Sequence, residues 1–161
     1  MPASNSAELV LLRHGIAEPR QAGRDHPDRP LTAAGRQRTQ LVMAALVRRG
    51  LRLDRLLSSP YRRALQTAEL ALEAGLASGL AVDERLKPGG ALETLLSSVD
   101  GRLGLVGHEP DLGDLACMLL GCPPGGLLLK KAGVIQLHCS AGQWQLQTLL
   151  RPALLIEDLG C

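Results

Sequence analysis

The sequence predicts an α/β fold in three layers: a mainly parallel, open sheet with helices on both faces and an antiparallel hairpin at one edge. Short apolar runs alternate with segments of helical periodicity along most of the chain, and Gly and Pro residues separate them. Near the end, two strand-like runs instead follow each other across a tight turn. The length of 161 residues suits a single domain, 1–161, in which we expect residues 1–7 to be a flexible N-terminus.

The first half of the chain predicts two pairs of strand and helix. The run ELVLL at 8–12 is too short for a helix and precedes a Gly- and Pro-rich stretch, which indicates a buried strand. The following helix has Thr32 as its N-cap and ends in two arginines and a glycine. LDRLLSS predicts a second strand. SPYRRALQTAELALEAG predicts a second helix with Ser58 or Ser59 as its N-cap and Pro60 near its first turn.

The second half continues this alternation. GLAVDE and GRLGLVGH predict strands, GGALETLLSSV predicts a short helix, and PDLGDLACMLLG predicts a longer one. AGVIQLHCSAGQWQLQTLLR contains two strand-like runs around the turn SAG, which predicts the hairpin. The sequence leaves open which edge of the sheet carries it.

Composition and charge exclude several classes of function. No apolar run is long enough to cross a bilayer and the first residues lack the features of an export signal, so we expect a cytoplasmic protein with no membrane partner. A net charge of +2 and 1% aromatic residues argue against nucleic acid as a partner. We expect a monomer, because no predicted helix shows a further apolar face. Four cysteines are interpreted as structural or incidental: Cys117, Cys122, Cys139 and Cys161.

Polar residues collect where the predicted parallel strands end, which is where open α/β sheets bind ligands. These residues are Arg13, His14, Ser58, Ser59, Asp83, Glu84, Gly107 and His108. His14 and His108 can therefore meet, and Arg63 in the first turns of the second helix can reach the same place. Arginine presents a planar fork of donors that suits phosphate oxygens. The three residues predict an anion site in which a neutral imidazole faces phosphorus.

Each of these residues also has a simpler interpretation. A single histidine in a loop is more often a hydrogen-bonded structural residue than a catalyst. We interpret His26 and His138 as non-catalytic, and because the four histidines show no metal-ligand spacing, we expect no metal. The arginines of the first quarter form either a positive surface for an anionic substrate or a solvated face. They are Arg13, Arg20, Arg24, Arg29, Arg36 and Arg38.

Three segments, in this order, resemble the signature segments of the histidine phosphatase (phosphoglycerate mutase-like) superfamily: LLRHG, SSPYRRALQTAE and VGHEPDL. Within it, the small size, RPLTAAG, KPGG and the tail GCPPGGLLLKKAGVIQL resemble the bacterial phosphohistidine phosphatases of the SixA type. The similarity covers nearly the whole chain. An R-H-G tripeptide alone is a weak signal, whereas the three segments together, each beside a predicted strand, are specific.

The resemblance implies a role for each matching residue. It makes His14 the phosphorylated nucleophile, and Arg13, Arg63 and His108 the residues that hold the phosphoryl oxygens. Gly15 would let the backbone come close to the phosphate. Phosphoryl transfer needs in-line positioning and charge neutralisation, and these side chains would supply both without a cofactor.

Two assignments stay open at this level. The general acid or base is either Glu84, after the third predicted strand, or Glu109, beside His108. Glu84 can equally be an exposed loop carboxylate. Arg62 is the neighbouring alternative to Arg63, although a helix points the two side chains in different directions.

The predicted function is removal of a phosphoryl group from the phosphohistidine of a phosphotransfer protein, through a phosphohistidine intermediate on His14. Phosphohistidine can leave as neutral imidazole, whereas a phosphate monoester leaves as an alkoxide and needs a proton donor. The alternative is a phosphatase of small phosphate monoesters, derived from sugars or nucleotides. A mutase and a non-catalytic phosphate-binding module rank lower. The segment between Arg63 and His108 is too short for a lid, and Lys130 and Lys131 either line the mouth of the site or are a solvated pair.

Overall fold

A mixed sheet of six strands forms the middle layer of the protein, which confirms the predicted α/β fold. The computed structural model describes residues 6–157. The strands are β1 (Ala7–Arg13), β2 (Arg55–Ser58), β3 (Ala81–Val82), β4 (Arg102–Gly107), β5 (Val134–Ser140) and β6 (Gln143–Leu150). The helices are α1 (Ala33–Arg48), α2 (Arg62–Glu73), α3 (Asp111–Leu120) and α4 (Pro152–Glu157), with 3₁₀-helices at Glu84–Leu86 and Leu92–Ser98.

The strand order β3-β2-β4-β1-β5-β6 places β4 and β1 at the centre of the sheet. The strands β3, β2, β4 and β1 are parallel to one another. Strand β5 pairs antiparallel with β1, and β6 completes the hairpin, so the predicted hairpin lies on the β1 side. Of the predicted flexible N-terminus, residues 1–5 lie outside the described residues. Ala7 already pairs with Cys139 in the sheet.

Side chains of β1 alternate between two hydrophobic cores, one on each face of the sheet. Val10 and Leu12 pack in the core that includes residues of α1, α2 and α4. Leu9 and Leu11 pack in the core that includes residues of α3 and both 3₁₀-helices. All four side chains are fully buried, and a strand buried on both faces has a continuous apolar sequence. The two cores fix the ends of β1 and β4, and therefore the side chains that follow them.

Helix α1 lies where the sequence predicts. The Thr32 hydroxyl accepts a hydrogen bond from the backbone N–H of Gly35 at 2.8 Å and caps the helix. Gly50 follows the helix with a φ of +87°, a left-handed conformation that glycine adopts without strain. We did not predict α4, because its six residues are too few to show helical periodicity. Its Leu155 is buried in the core that α1 shares.

The predicted start of α2 is wrong. The helix begins at Arg62, so neither Ser58 nor Ser59 is its N-cap, and Pro60 precedes its first turn. Ser58 belongs to β2, and the backbone N–H of Ser59 donates to the carbonyl of Val106 at 2.9 Å. The chain therefore stays paired with β4 for one residue beyond β2, which delays the helix.

The predicted short helix after β3 is a 3₁₀-helix, Leu92–Ser98. The hydroxyls of Thr94, Ser97 and Ser98 each donate to the carbonyl three residues earlier, which is the spacing of a 3₁₀ turn. Within residues 6–157, no helix combines the length and apolar character needed to span a membrane.

Candidate active site

Two buried histidines meet at the carboxyl edge of the sheet, where the sequence predicts them. In the parallel pairing of β1 with β4, Arg13 lies opposite Gly107, so His14 and His108 leave the sheet side by side. Their ring centroids are 5.2 Å apart, and the residues are 6% and 3% exposed. The central strands thus bring together two imidazoles that are 94 positions apart in the sequence.

Arg63 joins the two histidines. Its Nε donates to Nε2 of His14 at 3.2 Å, and its Nη2 lies 3.3 Å from Nδ1 of His108. Arg63 is only 2% exposed, although it is charged. Arg62, in contrast, is exposed, and its backbone N–H donates to the carbonyl of Pro27. Of the two arginines that the sequence left open, the structure brings Arg63 to the histidines.

Hydrogen bonds fix the proton positions on the His14 ring. Its Nδ1 lies 2.7 Å from the carbonyl oxygen of Gly15, which can only accept, so Nδ1 carries the proton. Nε2 accepts from Arg63 and therefore carries none in the neutral ring. The lone pair of Nε2 faces the guanidinium, where an anion would bind.

The opposite tautomer follows for His108. Arginine has no acceptor, so Nδ1 of His108 accepts from Arg63. Its Nε2 then donates to the hydroxyl oxygen of Ser59 at 2.8 Å. That oxygen also accepts from the backbone N–H of Tyr61, whose ring meets the imidazole edge-on at 5.2 Å. Ser59 is thus a positioning residue for His108, which explains why it does not cap α2.

Both histidines are neutral near pH 7. Burial lowers the pKa of His14 to about 3, although the hydrogen bond to Gly15 opposes the shift. Burial, followed by the charge of Arg63, lowers the pKa of His108 to about 4. A neutral His14 is a nucleophile, whereas a protonated one is not.

Asp25 is a site residue that we did not predict. Its Oδ2 lies 3.0 Å from Nη2 of Arg63, and its Oδ1 lies 2.8 Å from Nη2 of Arg29. The carbonyl of His26 also accepts from Nη1 of Arg63, at 3.4 Å. These contacts tie the 18–30 loop to the buried guanidinium. The sequence held no signal for Asp25, because nothing in GRDHPDRP distinguishes one loop acid from another.

The histidines and Arg63 form the floor of a cleft of about 470 Å³, which we call the histidine cleft. Cations dominate its walls, as the arginine-rich first quarter of the chain suggests. The charged residues that line it are Arg13, Arg20, Arg29, Arg63, Lys131, Glu18, Asp25 and Glu109. A larger cavity of about 730 Å³ opens beside it, but its lining comes from residues 18–30 and includes neither His14 nor His108.

The two candidate carboxylates lie in different places. Glu109 lines the histidine cleft, accepts a hydrogen bond from the backbone N–H of Gly113, and has a pKa that burial raises. Glu84 does not line the cleft. Its side chain is 73% exposed and lies 3.7 Å from the ammonium group of Lys87. The expectation that Glu84 reaches the site is therefore corrected, because the 3₁₀-helix that follows β3 turns this carboxylate to solvent.

Gly15 has another role than the predicted approach to phosphate. Its N–H donates to the hydroxyl of Thr67 at 3.0 Å and is not available to a ligand. A Cβ at this position would lie 2.2 Å from Oγ1 of Thr39, which is buried on α1. Glycine is thus required for close packing between α1 and the segment after β1.

The other residues considered in the sequence analysis differ in whether they line the histidine cleft. Lys131 lines the histidine cleft, whereas Lys130 lies in the next pocket. His138 lies within β5, and no group of three potential metal ligands occurs among residues 6–157. Cys117, Cys122 and Cys139 are free thiols, and Cys161 lies outside the described residues.

Residues 9–95 match the family model of the histidine phosphatase superfamily (branch 1), and this range is more than half of the chain. The chain belongs to that superfamily. A protein of Picosynechococcus sp. strain PCC 7002, described as uncharacterized, is 41% identical over 149 residues, which cover 88% of this chain and 90% of the relative. The matched range includes His14 and Arg63 but ends before His108, whose place in the site is seen from the geometry.

Solved structures with the same fold include phosphatases. The protein histidine phosphatase SixA, complexed with tungstate, is 24% identical with a TM-score of 0.79, over 92% of this chain and 99% of that one. A mycobacterial glucosyl-3-phosphoglycerate phosphatase is 23% identical with a TM-score of 0.67, over 89% of this chain and 98% of that one. At this identity the structures show a common fold, and membership of the superfamily supports phosphatase activity.

Proposed function

We propose that this protein removes the phosphoryl group from the phosphohistidine of a phosphotransfer protein, through a phosphohistidine intermediate on His14. The observation that carries the proposal is the unprotonated Nε2 of a buried, neutral His14, 3.2 Å from the guanidinium of Arg63. Attack on phosphorus requires an unprotonated lone pair, which turns from the Nε–H of Arg63 to phosphorus, and a fixed positive charge for the phosphoryl oxygens. The histidine cleft offers both within hydrogen-bonding distance of each other.

In the first step, Nε2 of His14 forms a bond to phosphorus while the P–N bond of the substrate breaks. A substrate ring that is protonated on its other nitrogen leaves as neutral imidazole, so no strong acid is needed. The phosphorylated His14 ring keeps its proton on Nδ1 and becomes cationic. The carbonyl of Gly15, 2.7 Å from Nδ1, accepts from this ring and stabilises the charge.

The phosphoryl dianion changes the protonation of His108. Burial and the nearby Arg63 hold its pKa at about 4 in the free protein. A dianion among these groups favours the charged imidazole. We therefore expect His108 to take up a proton on Nδ1 and to donate a hydrogen bond from this N–H to a phosphoryl oxygen. Arg63 and Arg13 supply the remaining charge.

In the second step, water attacks phosphorus and the P–Nε2 bond breaks, which returns neutral His14 with its proton on Nδ1. We assign Glu109 as the group that takes the proton from this water, because its half-buried carboxylate lines the same cleft and burial raises its pKa.

A second candidate function is hydrolysis of small phosphate monoesters. The observation that favours it is again Glu109, since a protonated carboxyl group in the cleft can serve an alkoxide leaving group. The likeness to a glucosyl-3-phosphoglycerate phosphatase supports the same alternative. The likeness to a protein histidine phosphatase and the open cleft, with only short 3₁₀-helices between β3 and β4, support the protein substrate.

The test compares two substrates. We would measure kcat/KM with a phosphohistidine-bearing phosphotransfer domain and with an aryl phosphate, and quench the reaction early to detect phosphate bound to His14. We expect rapid loss of phosphohistidine, slow ester turnover, and a protein-bound label that resists alkali and is lost in acid. Preferred ester turnover would establish the second candidate instead.

The control variants separate chemistry from folding. His14→Ala removes the nucleophile and should abolish both turnover and label. His138→Ala changes a histidine on β5, away from the cleft, and should leave both intact. A wild-type protein that binds phosphate but turns over neither substrate would be a phosphate-binding module, which contradicts the proposal.

A further inference from the structure

A second cationic pocket, which we call the basic pocket, lies directly beside the histidine cleft. Its volume is about 420 Å³, and Arg13 and Lys131 line both the cleft and this pocket. No Asp or Glu is among the lining residues within the described part of the chain. The residues that matter here are Arg13, Ile16, Arg38, Lys130, Lys131 and Arg151.

Three cations of the basic pocket have no side-chain partner in the described part of the chain, whereas Arg13 donates to a backbone carbonyl. Within residues 6–157, the side chains of Arg38, Lys130 and Arg151 make no hydrogen bond and no ion pair. In contrast, the buried Arg63 and its neighbour Arg29 both form ion pairs with the carboxylate of Asp25. Like charges that line one pocket without a counter-charge repel one another, so negative charge at this place would relieve the repulsion.

An excess of positive charge also surrounds Lys131 and Arg13, which lie where the basic pocket joins the histidine cleft. The pKa of Lys131 is lowered by burial and then by the charges of Arg13, Arg29 and Arg20. The Nε of Arg13 is buried without a hydrogen-bond partner among the described residues, while its Nη1 donates to the carbonyl of Leu129. The field that attracts an anion therefore continues from the cleft into the basic pocket.

The distribution of cations around the basic pocket indicates what kind of ligand it binds. Its cations come from three separate segments: Arg38 from α1, Lys130 from the loop before β5, and Arg151 from the residue after β6. Lys130 and Arg151 are exposed, and Ile16, 38% exposed, lies among them. A single small anion needs converging donors, whereas spread charges around an apolar residue resemble a protein interface.

We propose that the basic pocket docks a carboxylate-rich face of the protein whose phosphohistidine enters the histidine cleft. This inference rests on the proposed function and adds a second contact to it. The pocket adjoins the cleft through Arg13, so one partner can occupy both at once. Complementary charge speeds encounter and holds the partner, and it takes no part in the bond changes at phosphorus.

The test uses charge reversal at two residues that do not line the histidine cleft, Arg38→Glu with Arg151→Glu. The matched control, Arg48→Glu with Arg55→Glu, gives the same change in net charge at exposed residues on α1 and β2. Both double variants are assayed with free phosphohistidine and with an acidic phosphotransfer domain that carries phosphohistidine.

We expect the pocket variant to lose at least about fivefold in kcat/KM on the acidic domain, through KM, and to keep wild-type turnover of free phosphohistidine. The salt dependence of kcat/KM on the domain should also weaken. The control should match the wild type on both substrates. Equal losses on both substrates, or no loss on the domain, would overturn the proposal.

A binding measurement keeps this inference separate from the proposed function. In a His14→Ala background, the unphosphorylated acidic domain should bind, and reversal at Arg38 and Arg151 should weaken that binding at least about fivefold. Failure of wild-type turnover together with this loss of binding would refute the chemistry and retain the docking surface. If reversal weakens binding of inorganic phosphate and leaves binding of the domain unchanged, the ligand is a small anion and the proposal is wrong.

Discussion

Replacing Arg63 with alanine tests the site more directly than any other single change. The guanidinium is 2% exposed and contacts His14, His108 and Asp25 through nitrogens at 3.0 to 3.3 Å. Its neighbour Arg62 is exposed and, within residues 6–157, contributes only a backbone hydrogen bond. Two adjacent arginines on one helix therefore provide a matched pair, and we expect only Arg63 to bind the phosphoryl group.

The magnitude follows from the hydrogen bonds that a bound phosphoryl group would lose. Two charge-assisted hydrogen bonds from one buried guanidinium are worth about 1.5–3 kcal/mol each. Their loss in the transition state amounts to about 3–6 kcal/mol, which corresponds to a fall of about 10² to 10⁴ in kcat/KM. Arg63→Lys should recover only part of this, because a single ammonium group cannot span both histidines.

The assay is kcat/KM on free phosphohistidine for Arg63→Ala, Arg63→Lys and Arg62→Ala, with urea unfolding as the check on folding. The Asp25 carboxylate keeps Arg29 as a partner and is 26% exposed, so the fold should tolerate the change. Arg62→Ala should stay within about threefold of the wild type, because its side chain is exposed and has no charged partner among the described residues. Equal losses for Arg62→Ala and Arg63→Ala would refute the assignment of Arg63 as the phosphoryl-binding arginine.

Three further predictions follow. Glu109→Gln should lower kcat for release of phosphate from the phosphorylated intermediate at least about tenfold. Glu84→Gln, at an exposed carboxylate, should leave this kcat unchanged. A loss of activity in Glu84→Gln but not in Glu109→Gln would instead identify Glu84 as the acid or base. Gly15→Ala should destabilise the protein by about 1–3 kcal/mol in urea unfolding, because the new Cβ would lie 2.2 Å from Oγ1 of Thr39, and unchanged stability would show that α1 can shift. The two cleft histidines have folded pKa values of about 3 and 4, below the unfolded value near 6.5. At a pH between the folded and unfolded pKa values, the unfolded state therefore binds more protons than the folded state. Stability should therefore fall between pH 7 and pH 5, by up to about 2 kcal/mol per histidine, and equal stability at both pH values would contradict neutral buried rings.

Much of the fold and the centre of the site could be predicted because both depend on local patterns. The apolar run before Arg13 fixes β1 as a buried strand, and parallel strands end at one edge of a sheet. His14 and His108 follow two such strands, so their meeting needs no knowledge of side-chain detail. Helical geometry predicts that Arg62 and Arg63 point in different directions, but only the structure shows that Arg63 is the one that reaches the histidines.

Other features depend on contacts that no local pattern encodes. Asp25 reaches Arg63 across 38 positions because the 18–30 loop turns back over the sheet edge. The loop path after β3, and not the residue type, turns Glu84 outward, while Glu109 stays in the cleft beside His108. Ser59 was a plausible helix cap by sequence, but its pairing with His108 decides its role.

The sequence by itself determined the succession of strands and longer helices along the chain and the strand ends that carry the two histidines. The choice between Arg63 and Arg62 was decided by the structure. Burial, hydrogen-bonding partners and proton positions were decided only by the tertiary structure. Tautomers depend on what faces each ring nitrogen, here the carbonyl of Gly15 for His14 and the guanidinium of Arg63 for His108. The sheet geometry follows from repeating backbone preferences, whereas each of these contacts depends on where single side chains and carbonyl groups lie, which only the folded chain defines.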